Sequence, residues 1–193
     1  AGLAWEPIPV DRLWAKGVLA PFLKCNISLF PFDPDNLVVA SPDLGSFTLA
    51  NIYAELLEDH AGQIPVVAVA KRRKSGESET DILRVVGEEE IRDRPGVNVL
   101  IVDDMIDGGS TTCKAALKLK DLGAGTIYAL STHGVFSGKA LQRIDKSPIE
   151  RVFITDSIYR EKFSDKISVV SVAPLLGEAI FRIHSNQSIS ELF

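Results

Sequence analysis

Three carboxylates and a run of small residues crowd into one stretch, Asp103-Asp104-Met105-Ile106-Asp107-Gly108-Gly109-Ser110-Thr111-Thr112. Glycines let a chain curl without side chains in the way. A helix that follows turns its free N–H groups and the positive end of its dipole back toward the loop. Such a turn is an anion cradle. A nucleotide P-loop ends in lysine, and this loop has none. The acids ahead of it must therefore face another part of the same ligand. A carboxylate accepts two hydrogen bonds from a vicinal diol, and Mg²⁺ is the other partner carboxylates suit. The ligand so described carries a phosphate at one end with a ribose diol beside it. The plainer alternative is an ordinary strand-to-helix turn with Asp103 and Asp104 solvated.

Other reactive groups fall at comparable points. Asp43 stands in Ser41-Pro42-Asp43-Leu44-Gly45-Ser46, directly after the apolar run Leu37-Val38-Val39-Ala40, as either a turn residue or a ligand group. Lys71-Arg72-Arg73-Lys74 closes a second apolar run and precedes the polar stretch 75–80. Four cations there make either a solvated basic patch or a clamp for phosphate charge beside a loop able to close. His133 ends a further apolar run, where a histidine more often orients a loop than acts as a base.

The elements that must hold these groups alternate. Strands are expected over 37–40, 64–70, 98–102, 126–131, 151–155 and 167–172. Helical spacing recurs in Leu49, Ile52, Tyr53, Leu56 and Leu57, in Ala115, Ala116, Leu119 and Leu122 with Gly123 as a stop, and in Leu176, Ala179, Ile180 and Ile183. That order predicts an α/β fold: a doubly wound, mostly parallel sheet with helices on both faces. Residues 1–36, rich in Pro and aromatics, are expected to form an N-terminal connecting arm, and 37–193 one domain ending in a helix and tail.

A chain of 193 residues, 46% hydrophobic, can bury one sizeable core. A net charge of −5 spread along the chain argues against nucleic-acid or anionic-membrane binding. No apolar run approaches membrane length, and two cysteines, Cys25 and Cys113, suit a reducing, cytoplasmic setting. The chain opens on Ala1, which leaves room for an upstream piece.

The run from Val102 to Thr111 resembles the phosphoribosyl-pyrophosphate (PRPP) signature of type I phosphoribosyltransferases and PRPP synthetases. Ser41-Pro42-Asp43, Lys71-Arg72-Arg73, Thr132-His133-Gly134-Val135-Phe136-Ser137-Gly138, Thr155-Asp156-Ser157-Ile158 and the tail from Ile183 to Phe193 follow in the order found in the synthetases. The resemblance covers the chain from about Pro7 onward, and it matches the second of the two similar halves of those enzymes. It implies a type I phosphoribosyltransferase-like fold and the transfer of diphosphate from Mg-ATP to the C1 hydroxyl of ribose 5-phosphate.

On that resemblance Asp103 and Asp104 take the ribose hydroxyls, while Asp107, Gly108, Gly109, Ser110 and Thr111 cradle the 5-phosphate. Lys71 and Arg73 stabilise the travelling phosphoryl charge, and Asp43 helps hold Mg²⁺. His133 lies near the nucleotide, and Ser188 and Ser190 near a regulatory site and a subunit interface, within a homo-oligomer or an assembly with a complete synthetase. Three motif positions depart from the family. Gly108 stands where the synthetases carry Thr, and Ser46 and Ser110 each replace a Gly. Those departures and the missing half leave a second expectation, a catalytically inactive regulatory relative. A phosphoribosyltransferase is a third.

Overall fold

The computed structural model describes residues 12–26, 29–30, 33–58, 63–72 and 82–192. Along the chain these form α1 (Lys16–Cys25), β1 (Leu37–Ser41), α2 (Phe47–Leu57), β2 (Val66–Arg72), β3 (Ile82–Val86), α3 (Glu89–Arg92), β4 (Asn98–Ile106), α4 (Ser110–Asp121), β5 (Ile127–Gly134), α5 (Ala140–Lys146), β6 (Ile149–Thr155), β7 (Ile167–Val170) and α6 (Ala173–His184).

The strands make one sheet in the order β3-β2-β1-β4-β5-β6-β7. All neighbours run parallel except β3, which pairs antiparallel with β2 through partners such as Val69 and Val85. Successive side chains on a strand point to opposite faces, and the central strands are apolar on both. Val99 and Ile101 join Ala115, Ala116 and Leu119 of α4 and Ile144 of α5 in one layer. Leu100 and Val102 join Leu19 and Leu23 of α1 and Tyr53 and Leu57 of α2 in the other. Helices therefore cover both faces, and the sheet is doubly wound.

Of the aromatics in residues 1–36, Phe30 is buried with its ring edge-on to Tyr128 at 4.9 Å and to Phe153 at 6.0 Å. Phe22 also meets Phe153, and Trp14 is exposed, whereas Trp5 and Phe32 lie outside the described residues. No described helix is long and apolar enough to cross a membrane.

Three differences from the sequence reading matter for the site. β3 and α5 are additions: the first is a five-residue edge strand, and the second shows only Ala140 and Ile144 as buried contacts. The third is that β4 does not stop at Val102 but carries the acids inside it, because β5 continues alongside and pairs Asp103 with Ser131 and Met105 with His133. Pleating then separates Asp103, half-buried, from the more exposed Asp104.

Candidate functional site

The chain leaves β1 through α2 toward β2 on one side, and leaves β4 through α4 toward β5 on the other. β1 and β4 are thus the strands where the winding reverses, and the crevice beyond their carboxyl ends is where open α/β sheets take ligands. Ala40 and Ile101 are register partners across this pair. Asp43 follows the first by three residues and Asp103 the second by two.

Asp43 is held by its own loop. Its Oδ1 accepts from the Gly45 amide at 2.8 Å and the Ser46 amide at 3.2 Å, and the Ser41 hydroxyl donates to its carbonyl. Asp103 Oδ1 accepts from Ser46 Oγ at 2.6 Å and from the Asp104 amide at 3.0 Å. The Asp103 carboxyl is pushed up to about 6 by burial; the Ser46 hydroxyl and Asp104 amide partly offset this, and the charges of Asp104 and Asp43 add to it.

Beyond β4 the chain turns through Asp107, Gly108 and Gly109 into α4. Gly109 takes φ +71°, a left-handed conformation that a Cβ would strain, and that Cβ would also stand 3.5 Å from the Ala140 carbonyl oxygen. Gly109 is the N-cap of α4 and has no side chain to bond the first-turn amides. Those N–H groups are left for an anion. The loop is tied down from behind: the Phe136 amide donates to Ile106 O at 3.0 Å, the Ser137 amide to Asp107 O at 3.1 Å, and Arg143 Nη1 to Gly108 O at 2.5 Å.

Two contiguous clefts result. The narrower, about 250 Å³, is lined by Asp43, Asp103, Met105 and the run from Ile106 to Thr112. The wider, about 680 Å³, is lined by Asp43, Ser46, Asp103, Asp104 and Met105, with an apolar wall that includes Trp14 and Ile52. Asp43, Asp103 and Met105 belong to both.

The structure therefore gathers Asp43, Asp103, Asp104, Asp107, Gly108, Gly109, Ser110 and Thr111 around one opening. Lys71 lies near the end of β2, three residues past Ala68, the register partner of Ser41. Arg73 and the polar run 75–80 fall outside the described residues. His133 sits beside Met105 across the β4–β5 pair, with its Nδ1 2.8 Å from Ser157 Oγ. Ser188 and Ser190 stand apart from the cleft-lining residues. They hydrogen-bond each other at 3.1 Å on the tail after α6, where Arg182 binds Ser188 O and Glu191.

A profile described as the phosphoribosyl synthetase-associated domain matches residues 79–193. The chain belongs to this family. Ribose-phosphate pyrophosphokinases of Thermotoga maritima and Caldanaerobacter subterraneus are 39% and 42% identical to it, over 96% of this chain and 55% and 54% of theirs. The chain thus spans about half the length of the curated relatives it matches. The phosphoribosylpyrophosphate synthetase of Mycobacterium smegmatis superposes with TM-score 0.73 and 29% identity, over 92% of this chain and 53% of that one. An adenine phosphoribosyltransferase, at TM-score 0.50 and 22% identity, shares the fold.

Two participants escape the sequence reading. Arg143 reaches Gly108 from a helix that the sequence signals weakly, 35 residues away. Ser46 was legible only as a departure from a Gly; its bond to Asp103 had no sequence signal.

Proposed function

We propose that this chain forms the sugar-phosphate part of a ribose-phosphate diphosphokinase, which moves a diphosphoryl group from Mg-ATP to the C1 hydroxyl of ribose 5-phosphate. The observation that carries the reading is the position of Asp103. It lines both the anion-sized cradle ahead of α4 and the wider cleft beside it, so a phosphate in the first puts an attached pentose within reach of its carboxylate.

In this reading Asp103 and Asp104 accept from the ribose hydroxyls. Asp107 through Thr111 supply backbone and hydroxyl donors to the 5-phosphate, whose charge the α4 dipole favours. Lys71 and Arg73 neutralise charge on the phosphoryl group in flight, which in this chemistry needs positioning more than covalent help. His133, fixed by Ser157, orients its loop near the nucleotide, and Ser188 and Ser190 belong to a regulatory surface. The enzyme works as an oligomer in the cytoplasm.

Among the described residues no three His, Cys, Asp or Glu groups are placed to hold a metal by themselves. Mg²⁺ usually takes one or two carboxylates and completes its shell with water and substrate phosphates. Asp43 is the residue we assign to it. Its Oδ1 is engaged by loop amides, which fixes how the carboxylate is presented at the cleft. When bound, the cation held by Asp43 would offset phosphate charge.

A second reading, a regulatory relative without turnover, draws on the Ser46–Asp103 bond. A coupled assay with Mg-ATP and ribose 5-phosphate separates the two. PRPP formed by the pure chain, or by the chain with a complete synthetase made inactive, supports the kinase. Turnover in neither case, with co-purification of a longer homologue, supports the regulator.

A further inference from the structure

Ser46 is the N-cap residue of α2, where a serine hydroxyl ordinarily accepts from the first helical turn. It makes no such bond here. Its Oγ instead donates to Asp103 Oδ1 at 2.6 Å, and the Asp104 amide donates to the same oxygen at 3.0 Å. A carboxylate offers about four acceptor positions, two on each oxygen. Oδ1 is therefore full before any ligand arrives, and a diol reaching for both oxygens finds only Oδ2 open. Ser46 and Asp103 also line the same cleft, so the contact sits on the path of the ligand rather than behind it.

We propose that the Ser46 hydroxyl is a built-in competitor for the ribose diol: it occupies Asp103 Oδ1 in the free chain and sets how tightly a phosphorylated pentose binds. This rests on the reading of Asp103 as the diol acceptor. The hydroxyl has another use once displaced, because the first-turn amides of α2 lack a side-chain cap. Release therefore costs less than a full charge-assisted hydrogen bond, and the serine lowers affinity without closing the site.

The test is calorimetric titration of the chain with ribose 5-phosphate and, separately, with inorganic phosphate. It is run at pH 8, where the Asp103 carboxyl is ionised. Ser46→Ala and Ser46→Gly are expected to bind ribose 5-phosphate about tenfold more tightly than the natural chain, somewhat less than the worth of a full charge-assisted hydrogen bond. Ser46→Thr, which keeps the hydroxyl, stays near the natural affinity. Inorganic phosphate, which has no diol, binds equally to all four.

Unchanged or weaker ribose 5-phosphate binding by Ser46→Ala overturns the proposal if Asp103→Asn still weakens that ligand, since Asp103 is then the acceptor and Ser46 no competitor. If Asp103→Asn leaves ribose 5-phosphate unaffected, or the sugar binds no better than inorganic phosphate to any chain, the diol reading falls and the competitor with it. Equal tightening of both ligands also overturns it, because that points to a loop change rather than a vacated oxygen.

Discussion

Arg143 holds the Gly108 carbonyl at 2.5 Å, and in doing so it aims the next amide. In a trans peptide the C=O and the following N–H point in opposite directions. With the carbonyl turned toward α5, the Gly109 N–H faces away from it, toward the cradle. A cation on one element thus orients a donor on another.

Arg143→Ala is expected to free that peptide and weaken inorganic phosphate binding by roughly three- to tenfold, less than the full worth of a hydrogen bond to a charged group because the freed amide can still turn to the anion. Arg143→Lys should recover part of the loss, since one donor is enough for the contact. Phosphate titration of the three chains checks it, with thermal unfolding expected to move little because the side chain is exposed.

The two loop glycines should behave differently. Gly109→Ala forces a left-handed backbone on an L side chain and is expected to cost about 1–2 kcal/mol, together with phosphate affinity. Gly108 is not in the left-handed region, and a Cβ there meets only Arg143 Nη1 at ordinary contact distance, 3.5 Å. Gly108→Thr should therefore fold with a stability change within about 0.5 kcal/mol. Urea unfolding of both variants decides it.

Asp103 makes the fold pH-sensitive in an unusual direction. Its carboxyl is raised in the folded chain to about 6, from 3.8. Between those values the folded state holds more protons than the unfolded one, so this group's contribution to stability falls as pH rises through about 6. Asp103→Asn should then be more stable than the natural chain at pH 7.5, by about 1 kcal/mol once solvent screening is allowed for. The gap should close by pH 4. Paired urea curves at the two pH values test this. The same substitution should abolish the sugar-dependent part of ribose 5-phosphate binding, so a destabilising charge is kept for its use.

Phe30, with 1% exposure and rings of Tyr128 and Phe153 around it, links the segment after α1 to the sheet. Phe30→Ala is expected to lower stability by about 3–5 kcal/mol, the usual cost of emptying a buried aromatic site. A single unfolding transition should persist, because the cluster it belongs to includes α1, α2 and the sheet.

Much of this was legible because local pattern and global packing agree. Leu100, Ile101 and Val102 form an apolar run because β4 is covered on both faces, and Gly123 stops α4 with φ +101°. Legibility failed where the deciding partner lies far along the chain. Acids after Val102 look like a strand end, yet β5 carries the pairing on to Ile106. The edge strand Ile82–Val86 gave no sign of its own, since its pairing with β2 follows a polar stretch with no hairpin signal. The cradle residues could be found from type and spacing, whereas Ser46 and Arg143 act through contacts spanning 57 and 35 residues.

The registration of Ala40 with Ile101 reaches further than the fold. The spacing between the Asp43 turn and Asp103 is set mainly by the backbone ladder of two neighbouring strands, while in the proposed function grip on the phosphate is set by the loop ahead of α4. These parts can drift independently. In the proposed function, replacements such as Gly108 or Ser110 would alter how firmly a ligand is kept but leave the two carboxylates stationed as before. A lineage can in this way surrender turnover by small steps and still retain a recognisable, occupiable pocket.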